Sequence, residues 1–106
     1  MRHEGIGRLF FPDGREWGEV HYVIEERQES VTPSGRYERA RIEGHLSPLD
    51  RRRPLPFFDF MGGPQMCGAL RLSDGRWWLC VFKNADGRVL NHSSGIRPPG
   101  PQPQPD

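Results

Sequence analysis

The sequence predicts an all-β fold: a small six-stranded barrel or barrel-like sandwich made from two repeated three-stranded units, with one short helical turn between the halves. Three observations carry this. Residues 7–20 (GRLFFPDGREWGEV) and 68–81 (GALRLSDGRWWLCV) match at a constant offset of 61 residues (68 − 7), and seven of fourteen positions are identical: Gly7/Gly68, Leu9/Leu70, Asp13/Asp74, Gly14/Gly75, Arg15/Arg76, Trp17/Trp78 and Val20/Val81. Each copy sets Asp-Gly between two apolar runs, the strongest short-range hairpin signal, because a type I′ turn needs positive φ at both central residues. Apolar and polar residues then alternate with the period of two that a half-buried strand requires.

In chain order, the first strand spans about Gly5 to Phe11 and the second about Glu16 to Glu26, where Val20, Tyr22 and Ile24 alternate with Glu19, His21 and Glu25. Residues 28–35 (QESVTPSG) are turn-forming. A third strand follows over Arg36 to Leu46, with Ala40, Ile42 and Leu46 opposing Arg39, Arg41 and Glu43. Gln65 to Ser73 and Arg76 to Lys83 form the second hairpin, and Arg88 to about His92 makes a short sixth strand after the turn at residues 84–87. The halves, about 5–46 and 65–95, are joined by residues 47–64 (SPLDRRRPLPFFDFMGGP), which lack alternation. Leu55, Phe57, Phe58, Phe60 and Met61 are clustered there, as in a short helical turn ended by Gly62-Gly63 that caps a barrel end. A hydrophobic clamp for a partner is the alternative.

At 106 residues and 34% hydrophobic, the chain fits one β domain over residues 1–96, since a second would bury too little core. From Arg97 the sequence RPPGPQPQPD has nothing apolar to bury, so residues 97–106 are expected to form a disordered or polyproline II tail. A ligand for a proline-recognising domain is the functional alternative for it. Lys+Arg 15 against Asp+Glu 14 argues against a protein that works through a strong basic field on nucleic acid. The start of the chain leads directly into a strand without an apolar leader region, and no run approaches the roughly 18 apolar residues of a membrane span. A cytoplasmic protein with two reduced thiols, Cys67 and Cys80, is expected, without membrane contact.

A two-residue Asp74-Gly75 loop sets residues opposite one another when their numbers sum to 149. That register puts Leu70, Leu72, Trp77, Leu79 and Val81 on one face and Ala69, Arg71, Trp78, Cys80 and Phe82 on the other. The first hairpin, paired to a sum of 27, groups Leu9, Phe11, Val20, Tyr22 and Ile24 opposite Arg8, Phe10, Trp17, Glu19 and His21. With Val20 and Val81 pointing inward as repeat equivalents, Trp17 and Trp78 point outward, and the two thiols lie diagonally on one face. Trp17, Trp78, Arg71 and Phe10 then form an apolar surface for a protein partner or a second copy. The alternative is a second core layer in which Arg71 stacks on Trp78.

The sequence offers no catalytic constellation. His3, His21, His45 and His92 lack metal-ligand spacing, Ser93 and Ser94 lack a nucleophile elbow, and Glu25-Glu26 diverge as strand neighbours. No enzyme activity, cofactor or metal is therefore expected. Arg51, Arg52 and Arg53, with the later Asn91-His92-Ser93-Ser94-Gly95, point to an anionic ligand as the second reading. The two stretches resemble in part the Arg-x-x-x-Arg and Asp/Asn-x-Ser-x-x-Gly motifs of the PilZ family, six-stranded barrels that bind cyclic di-GMP. They depart from it: the arginine spacing is absent, the second stretch is one residue short, and the arginines interrupt the barrel instead of preceding it. Single-stranded nucleic acid, stacked on outward aromatics, is the third reading.

Overall fold

Alternation over six short segments leaves each with one apolar face, and the chain buries all six faces by closing them into a ring. The computed structural model describes residues 1–27, 41–55, 67–83 and 86–104, except for the side chains of residues 93 and 94. Its strands are β1 (Arg2–Phe10), β2 (Glu16–Arg27), β3 (Arg41–Pro48), β4 (Cys67–Arg71), β5 (Trp77–Phe82) and β6 (Arg88–Arg97). They form a closed antiparallel barrel in the order β1-β2-β3-β6-β5-β4. The ring is sealed by a short β1–β4 seam in which Arg8, Leu9 and Phe10 face Arg71, Leu70 and Ala69. Exchanging β1 with β4, β2 with β5 and β3 with β6 leaves this order unchanged.

Both Asp-Gly turns take the same form, and it is not type I′. Phe11 N donates to Arg15 O at 2.8 Å and Gly14 N to Phe11 O at 3.0 Å; Leu72 N donates to Arg76 O at 2.8 Å and Gly75 N to Leu72 O at 3.0 Å. These are three-residue loops, a type I turn followed by a left-handed glycine. Gly14 and Gly75 have φ of 95° and 92°, whereas no other residue type among the described residues has positive φ. Asp keeps ordinary φ because its carboxylate has a better use. Asp13 Oδ1 accepts from Arg15 N and Asp74 Oδ1 from Arg76 N, each at 3.0 Å.

The extra loop residue shifts the second hairpin to a sum of 148: Cys67↔Val81, Gly68↔Cys80, Ala69↔Leu79, Leu70↔Trp78 and Arg71↔Trp77. A one-residue slip turns every β5 side chain to the opposite face. Trp78 therefore points inward, correcting the expected outward orientation, and Trp77 points out. The first hairpin starts with the same offset at Phe10↔Glu16 but returns to a sum of 27 from Leu9↔Gly18 onward, because the strand bulges at Trp17. The halves thus share turns but not the register beyond them. Cys67 and Cys80 are free, and by the same slip they lie on opposite faces, with Cys80 buried inside.

The interior packs Leu9, Val20, Ile24, Leu46, Leu70 and Val89 around Trp78, all fully buried. Burying a side chain of this size contributes about 1.5–3 kcal/mol. Tyr22 crosses the interior and closes one end, its hydroxyl 3.0 Å from Ser73 Oγ while accepting from Ser73 N at 3.1 Å. A smaller cluster lies on the outer face of β4 and β5, where Ala69, Trp77 and Leu79 are buried with Phe10 and Cys67 packed against them.

Several element boundaries differ from expectation. β3 continues through Ser47 and Pro48, which were assigned to the joining segment, and a turn follows in which Arg53 N donates to Asp50 O at 3.1 Å. Leu55 packs on the core; the proposed helical turn over Phe57, Phe58, Phe60 and Met61 lies outside the described residues, as do residues 36–40 of the expected third strand. No helix among the described residues is long and apolar enough to cross a membrane. β6 runs on to Arg97, and in the segment after it, read from the sequence as a disordered or polyproline II tail, Gly100 and Gln102 hydrogen-bond to the barrel.

Candidate functional site

The bulge and the register shift decide where each candidate residue sits. Trp17 is only 6% exposed and joins the interior cluster. Arg53 covers it: the guanidinium carbon is 4.4 Å from the ring centroid, and Nη1 donates to Trp17 O at 2.7 Å. Arg53 is itself exposed, where a cation–π contact is worth about 0.5–1 kcal/mol, so it covers Trp17 from the solvent side. Trp78 is 0% exposed. Its Nε1 donates to Asn91 Oδ1 at 3.0 Å, and Gly95 N donates to the same oxygen at 3.2 Å. The Asn91 carboxamide is thereby committed to holding the irregular stretch between Asn91 and Ile96, where β6 leaves its register with β5. Neither Trp17 nor Trp78 offers a contact surface, which corrects their assignment as outward anchors.

Phe10 and Arg71 do come together, but around Trp77. Phe10 and Trp77 have ring centroids 5.3 Å apart at 56°, a tilted aromatic geometry. The Arg71 guanidinium carbon lies 6.0 Å from the Trp77 ring centroid. Arg71 is exposed, Phe10 half-buried, and Trp77 5% exposed. Trp77 owes its cover in part to the carboxy-terminal segment, since its Nε1 donates to Gly100 O at 2.9 Å. Gln102 Nε2 donates to Phe11 O at 3.0 Å, and the Arg15 guanidinium stacks 4.8 Å from the Phe11 centroid. Beside this face, a cavity of about 220 Å³ opens on the β1–β4 seam between Arg8, Arg71 and the Ser73–Gly75 turn.

Sequence reasoning missed Trp77, Gly100 and Gln102. The signal for Trp77 was Pro12: its fixed φ suits the second position of a type I turn, and with Phe11-Pro12-Asp13-Gly14 read that way the repeat transfers the same loop to Leu72–Gly75.

The remaining candidates stay apart from this face. Arg51 and Arg52 are exposed on the turn after β3, where Arg52 N donates to Asp50 Oδ1 at 3.0 Å. No group of three or more metal-ligating side chains occurs among the described residues. Burial pushes both thiols up from their ordinary range, Cys80 far more than Cys67. Asp13 and Asp74 are held below the usual carboxylate range, first by the backbone amides of Arg15 and Arg76 and further by their guanidiniums. No protein-family model, curated protein or solved structure matches the chain.

Proposed function

We propose that the protein is a non-catalytic interaction module that acts through protein contacts on the outer face of β1, β4 and β5. The observation that carries this reading is the Phe10–Trp77 aromatic pair rimmed by Arg71, a guanidinium with no carboxylate partner among the described residues. Aromatic rings beside an arginine are the groups that most often dominate binding energy at protein interfaces. A reducing, cytoplasmic setting fits the same reading, since Cys67 and Cys80 are free on opposite faces of one hairpin.

The test is capture from a lysate by the native chain and by a Phe10→Ser/Arg71→Glu variant, with light scattering to identify a second copy as the partner. The reading expects at least one protein, or the self-complex, to be retained by the native chain and lost from the variant. An identical set retained by both contradicts it. Titration with cyclic di-GMP separates the anionic-ligand alternative, for which Arg51 and Arg52 remain available; no heat is expected.

A further inference from the structure

The carboxy-terminal segment reads as a ligand already seated on that face. Residues 98–104 carry Pro98, Pro99, Pro101 and Pro103. Proline lacks an N–H and has a fixed φ, so such a segment presents mainly carbonyl acceptors and loses little backbone freedom when held. The complementary surface is one of aromatic planes with an N–H donor pointing outward. The barrel supplies both: Phe10 and Trp77 form the planes, and Trp77 Nε1 donates to the carbonyl of Gly100 at 2.9 Å. Pro99 lies beside the Gly75 turn, within 3.7 Å of where a Cβ on that glycine would sit. Gln102 and Pro103 are half-buried, and Gln102 Nε2 anchors the far end on Phe11 O.

We infer that the Phe10–Trp77 face is a recognition groove for a proline-rich segment of a partner chain, and that the protein's own residues 98–104 occupy it in cis as a competitor. The inference rests on the reading of this face as the interaction surface. Its chemistry is general: the indole N–H donates to any carbonyl of a proline-rich backbone, and the aromatic faces offer apolar planes to pyrrolidine without reading a particular side chain. A tethered segment competes at a high effective concentration. A partner's affinity is therefore reduced by the fraction of molecules whose own segment is seated.

The test uses the full chain and a synthetic peptide of residues 96–106 (IRPPGPQPQPD) added in trans, with the indole N–H resonances of Trp77 and Trp78 followed by NMR. In a full-length Pro99→Ser/Pro101→Ser/Pro103→Ser variant the cis segment is weakened. The peptide should then shift the Trp77 resonance at a concentration about tenfold lower than in the native chain, while Trp78, held by Asn91, stays in place. Trp77→Phe in the same background should abolish binding, read by isothermal titration. A variant with a native Trp78 resonance whose Trp77 signal ignores the peptide overturns the inference. Should the triple variant lose the Trp78 resonance, Gln102→Ala takes its place; that variant should respond at lower peptide concentration than the native chain, and an unchanged response overturns the inference equally. Lysate capture that depends on Phe10 and Arg71, found together with no peptide response, leaves the interaction surface standing and removes only its proline-rich ligand.

Discussion

Two adjacent tryptophans carry opposite duties, and each residue-scale prediction follows from which side of the sheet it faces. Trp78 is enclosed and its indole N–H has one acceptor, Asn91 Oδ1. Trp78→Ala should cost about 3–5 kcal/mol, as large-to-small core substitutions of aromatics do, read by chemical denaturation. Asn91→Ala strands the indole N–H and the Gly95 amide and should cost about 1–3 kcal/mol. The thiols divide similarly: Cys67 should react slowly with a thiol reagent at neutral pH and Cys80 only on unfolding, because burial raises both and encloses Cys80. Equal labelling rates in the native state would contradict this. Asp13 and Asp74 have lowered native pKa values relative to 3.8. The stability they contribute is therefore present above that unfolded value and is lost as pH falls through the lower native values. Denaturation midpoints should hold from pH 7 to 5 and decline below about pH 4, with a shallower decline in Asp13→Asn/Asp74→Asn.

Among the elements, the two Asp-Gly turns and the β1–β4 seam each hold a glycine whose replacement has a definite cost. Gly14 has positive φ and open space around it, so Gly14→Ala should cost about 1 kcal/mol from backbone conformation alone. Gly7 has ordinary φ, but a Cβ there would collide with Arg71 O and crowd the Tyr22 ring. Gly7→Ala should therefore cost about 1–3 kcal/mol, as overpacked sites do, and should raise hydrogen exchange of the amides at Arg8–Phe10. A smaller loss at Gly7 than at Gly14 would contradict the close approach. All six strands were legible in the sequence, because Val20, Tyr22 and Ile24 or Leu70 and Leu72 cannot alternate so regularly for another reason. The register of the second hairpin was not. Asp-Gly serves both a two-residue type I′ loop and a three-residue loop with a left-handed glycine, and the difference of one residue exchanges Trp77 for Trp78. The bulge at Trp17 likewise has no marker beyond Gly18.

At the scale of the whole molecule, the barrel is a ring held shut by three residue pairs between β1 and β4, with an aromatic outer face beside that seam and the chain's own proline-rich segment laid across it. A six-stranded barrel or sandwich was readable, since six half-apolar strands have few other ways to remove their edges, but the choice of a closed ring came from the β1–β4 seam. The docked segment was not readable, because its composition holds no apolar run and its two hydrogen bonds depend on where Trp77 and Phe11 end up in three dimensions. The sequence reading sets Phe10 beside Trp17 and Arg71 beside Trp78, whereas the bulge and the one-residue slip bring both to Trp77. The account therefore turns on which indole lies inside. Nuclear Overhauser contacts of the two indole N–H protons on the full-length chain measure this directly. The account predicts contacts from Trp77 Hε1 to Pro99, Gly100 or Pro101 and from Trp78 Hε1 to Asn91 and Gly95; contacts from Trp78 Hε1 to the proline-rich segment, with Trp77 Hε1 among the interior side chains, would contradict it.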